Sequence, residues 1–182
     1  LIHPTKKARD RGPLTEEKTK ISMTEGKSRF LPALILISFI LLASCNSKVI
    51  YSESFAMKDN VWKLTDTPLF EIPVTDTLNS NNVFFTLRTG SSYPYRNIYL
   101  FVSATSPDGR TLTDTLQYNL ADEKGKRYGK GFGDVRELNL PFKSNVYFPA
   151  KGFYTFKVQH GMRIEDLSGV YDFGLRIEKI TK

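Results

Sequence analysis

A period of two runs through most of this chain and leaves few folds open to it. Val83, Phe85 and Leu87 alternate with Phe84, Thr86 and Arg88, and Ile98, Leu100, Val102 and Ala104 alternate with Tyr99, Phe101, Ser103 and Thr105. Leu112, Leu116, Tyr118 and Leu120 oppose Thr111, Thr113, Thr115, Gln117 and Asn119. Tyr154, Phe156, Val158 and His160 share one side of a further segment, and Phe173, Leu175 and Ile177 alternate with Asp172, Gly174, Arg176 and Glu178. Such alternation predicts half-buried strands. Phe70 to Val74, Val49 to Phe55 and Leu138 to Phe142 supply further strands, and Ser106-Pro107-Asp108-Gly109 predicts a hairpin turn. No segment after residue 45 carries a sustained 3.6-residue apolar stripe. The expected fold is all-β: a single antiparallel β-sandwich of immunoglobulin-like or jelly-roll type.

Ahead of the strands lies a different kind of segment. Lys27 and Arg29 precede an apolar run from Phe30 to Leu42, which ends in Leu42-Ala43-Ser44-Cys45. The run is short of the about 20 apolar residues of a spanning helix and has the parts of an export signal. Leu-Ala-Ser-Cys resembles the bacterial lipobox, which implies that Cys45 becomes the lipidated first residue of the mature chain. Residues 1–22, charged and polar, are expected to lie upstream of the true start at Met23, followed by a signal peptide at 23–44, a lipidated tether at 45–48 and the sandwich at 49–182. The tether spans about 15 Å when extended, so the domain is expected close to a membrane.

Charge is redistributed by this division. Of 26 Lys+Arg and 19 Asp+Glu, 8 and 4 precede Cys45, so 18 and 15 remain on the mature 138 residues. A net charge of about +3 does not supply the basic stripe of a nucleic-acid binder, and nucleic acid is not an expected partner. The one basic cluster, Lys124, Lys126, Arg127 and Lys130, sits among Gly125, Gly129, Gly131 and Gly133 without P-loop or dinucleotide spacing. Asp122, Glu123 and Asp134 lack the spacing of a calcium loop. With Cys45 lipidated, the folded domain has no cysteine and no disulfide.

Few residues invite a chemical reading. His160, the one histidine of the mature chain, falls on the apolar side with Phe156 and Val158 and is expected to be a packed, hydrogen-bonded core residue; as a general base it needs a nucleophile and an orienting acid that the sequence does not reveal. Asp114 falls on an apolar side, where an unpaired carboxylate is costly. A bulge or strand end turning it to water, a buried pairing with Arg176 or Arg163, and a ligand-binding role all account for it. Tyr93, Tyr95 and Arg96, before one strand, and Tyr147, before another, are of residue types that carry interface energy when exposed; they are candidate partner-binding residues or caps on the ends of the core. An unpaired edge strand is a second route to a partner.

Tyr93-Pro94-Tyr95-Arg96-Asn97-Ile98-Tyr99-Leu100, Pro107-Asp108-Gly109 leading to Asp114-Thr115-Leu116, and Gly131-Phe132-Gly133-Asp134 resemble the GldH family of gliding-motility lipoproteins of the Bacteroidota. So do Gly152-Phe153-Tyr154-Thr155-Phe156, Gln159-His160-Gly161-Met162-Arg163 and Gly169-Val170-Tyr171-Asp172-Phe173-Gly174 through Lys179. The resemblance implies an envelope lipoprotein needed for surface gliding and associated with the type IX secretion apparatus. It implies a non-catalytic subunit working with other envelope proteins, and no catalytic residue, metal or cofactor. Asn46 and the sequence Asn46-Ser47-Lys48-Val49 predict an outer-membrane anchor facing the periplasm. The runner-up is a carbohydrate- or peptidoglycan-binding module; an envelope hydrolase built on His160 with Asp114 or Asp134 comes third.

Overall fold

The structure, a computed structural model, describes residues 48–180. Ten strands make it up: β1 (Val49–Ala56), β2 (Val61–Lys63), β3 (Leu69–Val74), β4 (Asn81–Thr89), β5 (Asn97–Thr105), β6 (Thr111–Asn119), β7 (Arg136–Val146), β8 (Gly152–His160), β9 (Asp166–Ser168) and β10 (Val170–Lys179). Burial follows the sequence alternation closely in β3 and β4, where every second residue is buried. The expected strand at Leu138–Phe142 is longer at both ends, and β2 and β9 are two strands that periodicity does not reveal.

Two four-stranded sheets form the sandwich, in the orders β1-β10-β4-β7 and β3-β8-β5-β6, with β2 and β9 paired separately. All pairings are antiparallel. The chain folds as a nested set: β5 pairs with β6 at the centre, then β4 with β7, β3 with β8, and β1 with β10 on the outside. Successive main strands therefore cross from one sheet to the other except at the central hairpin. This is the wiring of a jelly roll, which decides between the two sandwich types the sequence allows.

The central hairpin has the three-residue loop that its sequence calls for. Pro107 and Asp108 make the turn and Gly109 takes φ +84°, so the Gly109 amide donates to the Ser106 carbonyl at 2.9 Å and Ser106 and Arg110 begin the ladder. Asp108 holds the loop by accepting from the Arg110 side chain at 2.6 Å.

Between the sheets, Phe173 of β10 is the centre of an aromatic cluster, with ring centroids 4.8 Å from Trp62, 5.3 Å from Phe85 and 6.2 Å from Phe70. Each such side chain contributes about 1.5–3 kcal/mol by leaving water. Trp62 enters this cluster from the short β2, and its indole N–H is satisfied by the Asp66 carbonyl at 2.8 Å.

The register gives the sandwich two distinct ends. Val49 pairs with Glu178, Lys179 with Asn81 and Asn81 with Val146, so the start of β1 lies at the same end as the close of β7. The tip of the central hairpin is there too, because Pro107 packs against Gly152 so closely that an added Cβ on the glycine meets it at 2.9 Å. At the opposite end the segments 90–97 and 161–169 lie together: the Gly90 amide donates to the Gly169 carbonyl at 2.8 Å, and the Gly161 amide to the Tyr99 carbonyl at 2.7 Å.

Candidate functional site

Cys45 lies outside the described residues. The four candidate partner-binding residues separate in the structure. Tyr93 is only 8 % exposed; its hydroxyl donates to the Asn97 carbonyl at 2.8 Å, its ring meets Tyr95 edge-on, and burial pushes its hydroxyl pKa up. It is a core residue at the end of the sandwich, not a surface contact. Tyr95 and Arg96 are exposed at that end, and Tyr147 is exposed at the other, so the four do not form one site.

Tyr95 instead belongs to a patch on the outer face of the β3-β8-β5-β6 sheet. Tyr99 and Phe101 point outward from β5, about 7 Å apart as i and i+2 residues of a strand, and with Tyr95, Met162 and Arg163 they line a shallow hollow. Gly161 shapes it: a Cβ there meets the Phe101 ring at 3.0 Å and the Tyr99 Cβ at 3.1 Å, so a glycine lets the Phe101 ring lie against the backbone. The Tyr99 amide is 3.4 Å from the Met162 sulfur. The signal for this patch is in the sequence, since Tyr99 and Phe101 occupy positions where a half-buried strand carries polar residues. Chemically the hollow offers three aromatic faces, a thioether and one guanidinium.

Asp114 is neither at a bulge nor paired with arginine. The β5–β6 register is regular through Val102 and Asp114, Arg176 pairs with Glu178 on its own strand, and Asp114 faces Lys143 of β7 at 2.9 Å. β6 and β7 are edge strands of opposite sheets, so the inward side of β6 reaches water at the seam between them, and both partners stay partly exposed. The Tyr118 hydroxyl closes the seam further along by donating to the Pro141 carbonyl at 2.8 Å. Burial, with the Asp114 charge adding to it, pushes that hydroxyl up to about 12.

His160 is fully buried, as its alternation predicts; neither ring nitrogen makes a hydrogen bond of good geometry among the described residues, but the backbone of Trp62 and of Glu165 lies within hydrogen-bonding reach of the ring. Burial pulls its pKa below the ordinary value, and the nearby backbone of Trp62 and Glu165 opposes this.

The glycine-rich loop is tied down through Arg127, whose guanidinium donates to the Thr89 carbonyl at 2.6 Å, the Thr89 hydroxyl at 2.7 Å and the Asp134 carbonyl at 2.7 Å. The loop carboxylates have internal partners. Asp122 accepts from the Lys124 and Lys126 amides, and Asp134 accepts from Ser91. No group of three or more His, Cys, Asp or Glu is placed to hold a metal ion among the described residues.

Comparison with known proteins bears on the whole domain. The family model for the GldH lipoprotein matches residues 49–177. The gliding motility lipoprotein GldH of Flavobacterium johnsoniae is 34% identical over 153 residues, covering 80% of this chain and 94% of the relative. A protein of Christiangramia forsetii named gliding motility lipoprotein GldH homolog is 32% identical over 160 residues, covering 84% of this chain and 98% of the relative. Among solved structures, a chain of the infectious bursal disease virus Gx strain aligns at 10% identity and a TM-score of 0.29 over 72% of this chain and 33% of its own, a likeness too slight to carry an argument. Sequence motifs and a near full-length match thus agree, and the chain belongs to the GldH lipoprotein family.

Proposed function

We propose that this lipid-anchored envelope protein serves gliding motility and the associated type IX secretion as a non-catalytic accessory subunit that holds another envelope protein. In this reading Cys45 carries the lipid, in the outer membrane, and the jelly roll faces the periplasm. The relatives' shared name supports the gliding role. The observation that carries the docking role is the exposed patch of Tyr95, Tyr99, Phe101 and Met162 around a shallow hollow, because exposed aromatics on a rigid sheet supply contact area at little entropic cost. Tyr95 acts in it, Arg96 lies in a neighbouring hollow with Tyr95, and Tyr147 serves the opposite end.

The same patch favours a second reading. Aromatic faces flanked by Gln117, Gln159 and Arg163 suit stacking on sugar rings, as in a carbohydrate- or peptidoglycan-binding module. Docking ranks first because the relatives share the name of a motility lipoprotein. The test is deletion of the gene followed by complementation, scoring colony spreading and the secreted proteome together. The reading expects both to fail on deletion, to return with the wild-type gene, and to stay lost with Tyr95→Ala/Phe101→Ala. Full rescue by that double variant counts against docking through the patch.

A further inference from the structure

A second feature lies at the other end of the sandwich. Beyond the Asp114–Lys143 pair the two sheets part and enclose a cavity of about 350 Å³ between β6 and β7, within the about 300–1,000 Å³ range of small-ligand sites. Its walls are Val83, Ala104, Phe142, Val146, Phe148 and Phe156. Ser106 and Tyr154 also line it, their hydroxyls engaged with Asp108, the Arg110 carbonyl and the Ala150 amide, so the interior is largely apolar and poorly suited to a sugar or a charged metabolite. The rim is of another kind. Lys143 and Arg110 stand on it, each beside a carboxylate, together with the exposed rings and chains of Tyr147 and Leu112.

The position of the mouth is informative. It opens at the end of the sandwich where β1 begins, since Val49, Asn81 and Val146 share that end of their sheet. Leu78, 86 % exposed, and Lys179 lie there as well. Three strand spacings of about 4.8 Å separate β1 from β7, so the point at which the chain leaves toward residue 45 is on the order of 15 Å from the mouth. An exposed tyrosine and exposed apolar side chains at one end, with ion-paired lysines among them, suit the boundary between headgroups and acyl chains.

We infer that this cavity takes one acyl chain of a bilayer phospholipid. The inference rests on the reading of Cys45 as the anchor, which holds this end against the membrane. Docking through the β5 patch uses the end of the sandwich away from this cavity, so the two roles do not compete.

The test uses the full-length lipidated protein reconstituted in vesicles of phosphatidylethanolamine and phosphatidylglycerol that carry a small fraction of phospholipid with a photoreactive acyl chain. Because the protein's own lipid is unlabelled, only bilayer lipid is scored. Crosslinks concentrated on peptides carrying Ala104, Leu112 and Val146–Phe148 are expected. Ala104→Trp, which fills the cavity, and Leu112→Asp, which places a charge at the mouth and is too exposed to disturb the fold, are each expected to lower them by about tenfold, equivalent to about 1.4 kcal/mol of binding. Crosslinks absent from these peptides, or undiminished in a folded Leu112→Asp protein, overturn the inference. Mass spectrometry of the Cys45 peptide tests the anchor separately, so an unlipidated chain is told apart from an empty cavity.

Discussion

Trp62 presents its ring to His160 at 5.5 Å between centroids and 78° between planes, an edge-on contact deep in the core. It joins the short β2 strand to the last residue of β8, two elements that are not hydrogen-bonded neighbours. An imidazole held this way is packed as an aromatic. Its nitrogens are dry, and the cost of charging it is paid by the fold.

Acid should expose that cost. Burial lowers the folded-state pKa of His160, so the neutral form is the native one and its contribution is whole above the unfolded value of about 6.5. As pH falls through that value the unfolded chain takes up a proton first, and stability declines until the folded value is passed. Thermal unfolding is expected to show a lower Tm at pH 5.5 than at pH 7.5, with a smaller decline in His160→Phe; equal declines contradict the assignment.

Asp114 and Lys143 make a half-exposed bridge across the seam. Such pairs contribute about 0–1 kcal/mol and are screened by salt. Asp114→Asn is expected to change unfolding free energy by less than about 1 kcal/mol and to leave gliding intact in complementation. A null phenotype in a folded Asp114→Asn protein instead points to a ligand-binding or catalytic carboxylate.

Gly174 lies in β10 between β1 and β4, where an added Cβ meets the Glu53 carbonyl oxygen at 2.6 Å and the Thr86 hydroxyl. Backbone cannot yield as a flexible side chain does. Gly174→Ala is expected to cost about 1–3 kcal/mol through overpacking, measurable by urea unfolding. Gly109→Ala gives a useful contrast, because nothing crowds that site and only its positive φ resists the change.

Tyr95 and Phe101 stand on the outer face of the domain. Tyr95→Ala and Phe101→Ala are each expected to shift stability by about 0.5 kcal/mol while weakening partner capture, read by calorimetry on the one side and by quantified co-purification on the other. A large loss of stability in either variant makes its ring structural.

The strands with long alternation were legible because one face of each is buried and the other wet, and β4 reproduces that pattern residue by residue. β2 and β9 escaped because three residues hold too little of a period, although the lone tryptophan at 62 marked a place where something large had to be buried. Asp114 was placed on the correct side of its strand. Its partner was not legible, since pairing across the seam depends on which strands are edges, and that follows from the jelly-roll wiring. Tyr93 and Tyr95 look alike in sequence, yet an end of the sandwich folds over one and leaves the other outside. The cavity is a property of where the two sheets part, which no local pattern records.

Holding a protein through the outer face of β5 is the role proposed for this domain. Its most direct measurement is site-specific photocrosslinking from position 99 in the native envelope, with the lipidated protein at its natural level. One discrete protein adduct is expected, identified by mass spectrometry as a gliding or secretion component and lost in Tyr95→Ala/Phe101→Ala. Adducts to peptidoglycan or glycan alone, or a protein adduct unchanged by the double variant, contradict it.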